Sequence, residues 1–185
     1  MRRLTGLAFA TIVIAALFAF APAAKAQEAG EQTFEIYAGW YVPGIDDLDN
    51  DYTYGIRYGS RPSENWGWNI AAGYFDLEQN GEDRPLERFI TSANVWLVDL
   101  SGIWYVRGSD FGIFAGLGYA GVDIDLRGTT RDESDDALTY NYGVLYAFNI
   151  GDRYVLKPEV RWRKFDGDTY EKTDEQYSLS WGWRF

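Results

Sequence analysis

Eight stretches of the chain alternate apolar and polar or small residues with a period of two, the repeat of a β-strand whose successive side chains point to opposite faces. One apolar face is carried in turn by Phe34, Ile36, Ala38, Trp40 and Val42; by Tyr52, Tyr54, Ile56 and Tyr58; and by Trp66, Trp68, Ile70, Ala72 and Tyr74. It continues through Trp96, Val98, Leu100, Trp104 and Val106; Phe111, Ile113, Ala115, Leu117 and Tyr119; and Leu138, Tyr140, Tyr142, Val144, Tyr146 and Phe148. Tyr154, Leu156, Val160 and Trp162, then Tyr177, Leu179, Trp181, Trp183 and Phe185, complete the set. Asn94 falls on the apolar face of the fourth stretch, where a bulge would shift the register. Pro158 falls on that of the seventh and predicts a local irregularity, because proline donates no ladder hydrogen bond.

The connections alternate in length. Short ones lie at 61–65, 107–110 and 151–153, and longer ones at 43–51, 76–88, 123–136 and 166–175. Short turns at one end and long loops at the other, joining strands of about ten residues, are the pattern of a transmembrane barrel. The expected fold is all-β: an eight-stranded antiparallel up-and-down transmembrane β-barrel.

Alternation does not say which face points inward, and a secreted lipocalin-like barrel would enclose the apolar one. Volume decides against that. All eight tryptophans and ten tyrosines share the apolar face, and an eight-stranded barrel has room only for packed side chains or one small ligand. The opposite face carries Gly39, Gly55, Gly67, Gly73, Gly112, Gly116, Gly118, Gly143 and Gly182, which suit a crowded interior. The aromatics also gather at the strand ends. Trp66, Trp68, Phe111, Phe148, Tyr154, Trp183 and Phe185 lie at the short-turn end; Trp40, Tyr52, Tyr74, Tyr140, Trp162 and Tyr177 lie at the long-loop end. These are two interfacial girdles.

The remaining face then lines the interior with Glu35, Arg57, Asn69, Asp99, Ser101, Thr139, Asn141, Lys157, Glu159, Arg161, Arg163, Ser178, Ser180 and Arg184. Buried charges need partners, so Glu35, Arg57, Asp99, Lys157, Glu159, Arg161, Arg163 and Arg184 form a candidate lumen ion network. Glu35 and Arg184 sit near the same end of the two strands that must meet on closure, and are expected to pair. The network either plugs the lumen or lines a narrow basic pore.

Composition adds an export signal. Arg2 and Arg3 precede a mostly apolar run over 4–21, and Ala24-Lys25-Ala26 has the form of a cleavage site. The expected organisation is a cleaved signal peptide at 1–26 and one barrel domain at 27–185. That domain carries 14 basic and 28 acidic residues, a net charge of −14. Twenty of the acids fall in the four longer connections. Asp46, Asp47, Asp49 and Asp51 are the tightest cluster and weak candidates for a divalent cation, although no loop has the spacing of a dedicated calcium site. So acidic an exterior disfavours nucleic acid. The chain has no His and no Cys, which removes the commonest general base and the thiolate metal sites; no cofactor is expected.

The signal segment, the stretch Phe114-Ala115-Gly116-Leu117-Gly118-Tyr119 and the closing Tyr177-Ser178-Leu179-Ser180-Trp181-Gly182-Trp183-Arg184-Phe185 resemble the small outer-membrane barrels of the OmpA membrane-domain, OmpX, OmpW and opacity-like type. The resemblance implies the outer membrane of a Gram-negative bacterium, contact with its lipid and lipopolysaccharide, and both termini in the periplasm. It also implies that Tyr177, Leu179, Trp181, Trp183 and Phe185 form the signal read by the barrel-assembly machinery. A peptidoglycan-binding domain of the OmpA kind is not expected after Phe185. The lipid A-modifying barrels of this size depend on a His that this sequence lacks, so a non-enzymatic envelope or surface role is expected, with a small channel as the alternative. The sequence names no extracellular partner.

Overall fold

The computed structural model describes residues 30–44, 50–78, 90–126, 133–166 and 173–185; the expected signal peptide lies outside them. Nine strand segments follow one another: β1 (Glu31–Val42), β2 (Asp51–Arg61), β3 (Trp66–Glu78), β4 (Ile90–Tyr105), β5 (Phe111–Leu126), β6 (Glu133–Tyr146), β7 (Phe148–Ile150), β8 (Tyr154–Asp166) and β9 (Thr173–Arg184). Consecutive strands from β1 to β6 pair antiparallel, β8 pairs with β6, β7 and β9, and β9 pairs with β1, so the sheet closes on itself. No helix among the described residues is long and apolar enough to cross a membrane; the crossing is made by strands.

The nine segments make eight barrel strands. β6 and β7 are one strand in a single register against β8, from Leu138↔Asp166 to Ile150↔Tyr154. The ladder lapses only at Tyr146 and Ala147, opposite Pro158 and Lys157. Pro158 has no N–H to give there, so its irregularity interrupts the neighbouring strand and leaves its own continuous. The register of β4 shifts between Ile90 and Ser92, several residues before the expected position. Asn94 stays on the outer face and forms a hydrogen bond with the Tyr74 hydroxyl at 3.0 Å.

Two long connections are shorter than the sequence implied. β3 runs to Glu78, β5 to Leu126, and β6 begins at Glu133. Acidic residues read as loop therefore extend the ladders past the outer aromatics. At the other end, the turns after β4 and β7 use Gly108 and Gly151 at positive φ (73° and 62°), a conformation costly for any residue with a Cβ.

The apolar face looks outward. None of the eight tryptophans is buried, and Leu117, Leu138, Leu100 and Trp66 are more than half exposed. Cross-strand aromatic pairs tie the outer wall: Trp40 against Tyr52, Tyr142 against Trp162 and Tyr154 against Trp181, with ring centroids 4.7–5.7 Å apart. Tyr177 departs from its neighbours: it is 7% exposed, as is the Val160 beside it at 6%, and its hydroxyl donates to Glu175.

Candidate functional site

The interior is built in layers. At mid-height, seven of the charged residues singled out above form one unbroken chain of ion pairs. Lys157 Nζ lies 2.5 Å from Glu35 Oε1, and Arg57 reaches the other oxygen of Glu35 at 3.5 Å. Arg57 also reaches Glu159 at 3.0 Å, and Arg161 joins Glu159 at 2.9 Å to Asp99 at 2.7 Å. Arg163 grips both oxygens of Asp99 with two bonds of 2.7 Å. Hydroxyls and amides take the lone pairs that remain. Thr33 and Ser180 donate to Glu35 at 2.9 and 2.8 Å, and Asn141 donates to Asp99 at 3.3 Å. Every charged member is at most 5% exposed. Such burial is tolerable only because each charge meets an opposite one with directed hydrogen bonds.

The strands position these groups by parity. Arg57 and Glu35 are direct cross-strand partners, and Glu159, Arg161 and Arg163 alternate along the inner face of β8. Glycines on the facing strands make the space. A Cβ at Gly118 would collide with the Asp99 carboxylate, one at Gly182 with Glu35, and one at Gly73 or Gly55 with the Tyr37 ring.

The expected Glu35–Arg184 pair does not form. The β1–β9 register sets Glu35 opposite Gly182 and Arg184 opposite Thr33, one step nearer the barrel end. Arg184 instead meets Glu31 at 3.2 Å and donates to the carbonyl of Gly151. An offset of two residues along the seam, one inward-facing step, is enough to exchange the partner.

Sequence parity also understated the apolar content of the inner face. Tyr41, Phe75, Val95, Leu97 and Ala120 form a buried cluster on the long-loop side of the charges, with the Tyr41 and Phe75 rings stacked at 3.8 Å. Ile103, Tyr105, Phe114 and Leu145 form a second on the short-turn side. These residues occupy inward positions of their strands; they were legible there, but alternation draws the eye to the other face. A further pair, Arg61–Asp110 at 3.1 Å, closes the short-turn end, with the Arg61 guanidinium 3.9 Å from the Tyr105 ring. Arg61 shares the parity of Arg57, yet it abuts a turn and reads as part of it.

Of the cation candidates, Asp46, Asp47 and Asp49 lie outside the described residues, and Asp51 accepts a hydrogen bond from the Tyr52 amide. Among the described residues no cluster of three acidic side chains is arranged to hold a metal. In the proposed assembly strand, Leu179, Trp181, Trp183 and Phe185 face outward, and Tyr177 is covered.

A closed eight-stranded barrel with an apolar outer wall and a filled polar lumen is the architecture of an outer-membrane protein, and the sequence profile of the family described as "Outer membrane protein beta-barrel domain" matches residues 11–185. The chain belongs to the outer-membrane β-barrel family. Its fold is similar to solved members of that class. A major outer membrane protein of Thermus thermophilus superposes with a TM-score of 0.61 at 11% identity, covering 85% of this chain and 100% of that one. Ail of Yersinia pestis, solved with the heparin analogue sucrose octasulfate, gives 0.56 at 17%, covering 85% and 99%. OprG of Pseudomonas aeruginosa gives 0.55 at 15%, covering 88% and 99%. Comparison with curated protein sequences finds no match. At these identities the likeness to solved structures is one of fold; the family assignment rests on the profile and places this barrel in a bacterial outer membrane.

Proposed function

We propose that this barrel is a non-enzymatic, non-conducting protein of the outer membrane, acting through its place in the envelope and the acidic surface above it. The observation that carries the reading is the sequence of layers inside: apolar cluster, charged chain, apolar cluster. A hydrated ion meets rings and aliphatic side chains before and after the charges, and dehydrating it there is costly. Asp99 and Ser101, a carboxylate and a hydroxyl side by side on the inner face of β4, are both engaged. Asp99 is held by two arginines, and Ser101 donates to Asn141 at 3.0 Å.

In this proposal the leader at 1–26 is removed on export, the short turns and both ends of the mature chain face the periplasm, and the last strand is read by the assembly machinery. The first and last described segments support that placement: Gly30 donates to the Arg61 carbonyl beside a short turn, and Phe185 exchanges hydrogen bonds with Gln32. A sulfated partner of the kind seen with Ail is not carried over, since 20 of the 28 acids lie in the longer connections and would repel it.

Planar-bilayer recording tests the reading. The purified barrel is expected to produce no discrete conductance steps above the bare bilayer. Regular steps that scale with salt would establish the narrow-channel alternative instead.

A further inference from the structure

The charged layer continues past Arg163 to the long-loop end of the lumen. The ladder partner of Arg163 on β9 is Asp174, a carboxylate 2% exposed. Counting Asp174 and the Arg61–Asp110 pair, the buried cations Arg57, Arg61, Lys157, Arg161 and Arg163 meet an equal number of carboxylates. Asp174 therefore completes the charge balance of the interior. It also does something the other carboxylates do not: it reaches backbone beyond the barrel wall. One of its oxygens, Oδ2, accepts the Tyr41 hydroxyl, and Oδ1 accepts the Gly44 N–H at 2.7 Å. Tyr41 is the last inward residue of β1, with its ring stacked on Phe75. Gly44 lies past the end of β1 and past Val42↔Glu175, the last pair of the β1–β9 ladder. Where ladder bonds stop, a side chain of β9 takes over the hold on the departing chain. A hydrogen bond from a backbone N–H to an ionised carboxylate is stronger than the neutral bond it succeeds.

We propose that Asp174 is a tether for the surface: it fixes where the chain leaves β1, at the root of the first longer connection, and so positions the acidic run Asp46, Asp47 and Asp49 that follows Gly44 directly in sequence. Tyr41 is the positioning residue. Its hydroxyl occupies Oδ2 and leaves Oδ1 directed at Gly44. The inner end of the tether is built into the charged layer, because the Arg163 opposite Asp174 is itself gripped by Asp99. The inference deepens the reading of an acidic working surface and takes its purpose from that reading. Its test is separate: conductance steps would overturn the plugged lumen and leave the tether standing.

The full mature chain, refolded in detergent micelles, is followed by amide hydrogen exchange residue by residue. Asp174→Ala removes both acceptor oxygens and should speed exchange of the Gly44 amide about tenfold or more, a local opening that leaves Ala38 and Gly39, mid-way along the same seam, as in the parent. Tyr41→Phe keeps the ring on Phe75 and should speed Gly44 exchange several-fold, because the carboxylate loses the donor that orients it. A protease that cuts before aspartate should cleave within 46–51 several times faster in both variants than in the parent. Unchanged exchange at Gly44, a rise shared equally by Gly39, or equal cleavage of parent and variants would each overturn the proposal. If Asp174→Ala does not refold, Tyr41→Phe decides by the same three outcomes.

Discussion

Gly143 and Val144 are adjacent and live in different solvents. A Cβ on Gly143 would strike the Val160 carbonyl, the Phe114 ring and the Arg161 backbone, whereas Val144 is half-buried on the outer wall between Ile113 and Val160. Gly143→Leu should therefore destabilise the barrel by about 1–3 kcal/mol or more through overpacking. Val144→Leu should be almost silent, because lipid has no fixed shape to violate. Val144→Arg should cost about 2–4 kcal/mol at mid-membrane. Reversible unfolding in liposomes measures all three, and a silent Gly143→Leu beside a damaging Val144→Leu would reverse the faces. A second contrast separates buried from peripheral charge. Asp99→Asn removes the carboxylate that Arg163 grips and leaves Arg161 with Glu159 alone, and should cost about 3–5 kcal/mol. Arg184→Ala removes a pair whose Glu31 side chain is 24% exposed and should cost under about 1 kcal/mol in the same assay. Equal losses would mean that the position of Arg184 at the barrel end does not matter.

At the scale of strands, β9 has two duties that one substitution can separate. Its backbone closes the barrel against β1 and β8. Its terminal Phe185 is 69% exposed, with the Tyr58 ring 6.4 Å away. Phe185→Ala thus removes little packing and should leave the unfolding midpoint of the refolded barrel nearly unchanged. Its level in the outer membrane of expressing cells should fall several-fold if the terminal aromatic is an assembly signal; normal levels would remove that role. The strands themselves were legible in the sequence, since outer wall, girdles and inner charges each follow from parity. What parity could not supply was register. Glu35 and Arg184 share a face and an end, yet one step along the seam decides that Glu35 meets Lys157 and Arg184 meets Glu31. The lengths of β5 and β6 were hidden for a different reason. Asp123, Asp125, Glu133 and Asp135 are poor strand formers by composition, but Val122↔Asp135 and Ile124↔Glu133 are ladder pairs of a hairpin already registered below them.

The molecule as a whole reverses the arrangement of a soluble domain only in part. Its outer wall is the most apolar surface, but its interior is a charged chain held between two small apolar clusters. Burying that chain is worthwhile only if no charge is left over, so the same ion pairs that fill the lumen demand that all eight strands be present together. The interior residues missed from sequence, Tyr41 and Phe75 at one end and Ile103 and Phe114 at the other, hide because single apolar residues on a mostly polar face do not disturb a period of two.

The order in which the chain becomes available gives the charged layer a kinetic consequence. Glu35 is held by Lys157 and Ser180, 122 and 145 residues further along, and Asp99 by Arg161 and Arg163, 62 and 64 residues further along. Until β8 arrives, any earlier group of strands that entered the bilayer would carry carboxylates without most of their cations. Half-built barrels are therefore penalised, and contacts so distant in sequence make folding slow. The charged layer acts as a checkpoint on completion: insertion becomes favourable only when the ends of the chain meet. Refolding into liposomes should accordingly show protection of β1–β3 from added protease appearing with the same time constant as that of β8 and β9. Early protection of the first three strands alone would show that they insert without waiting for the rest.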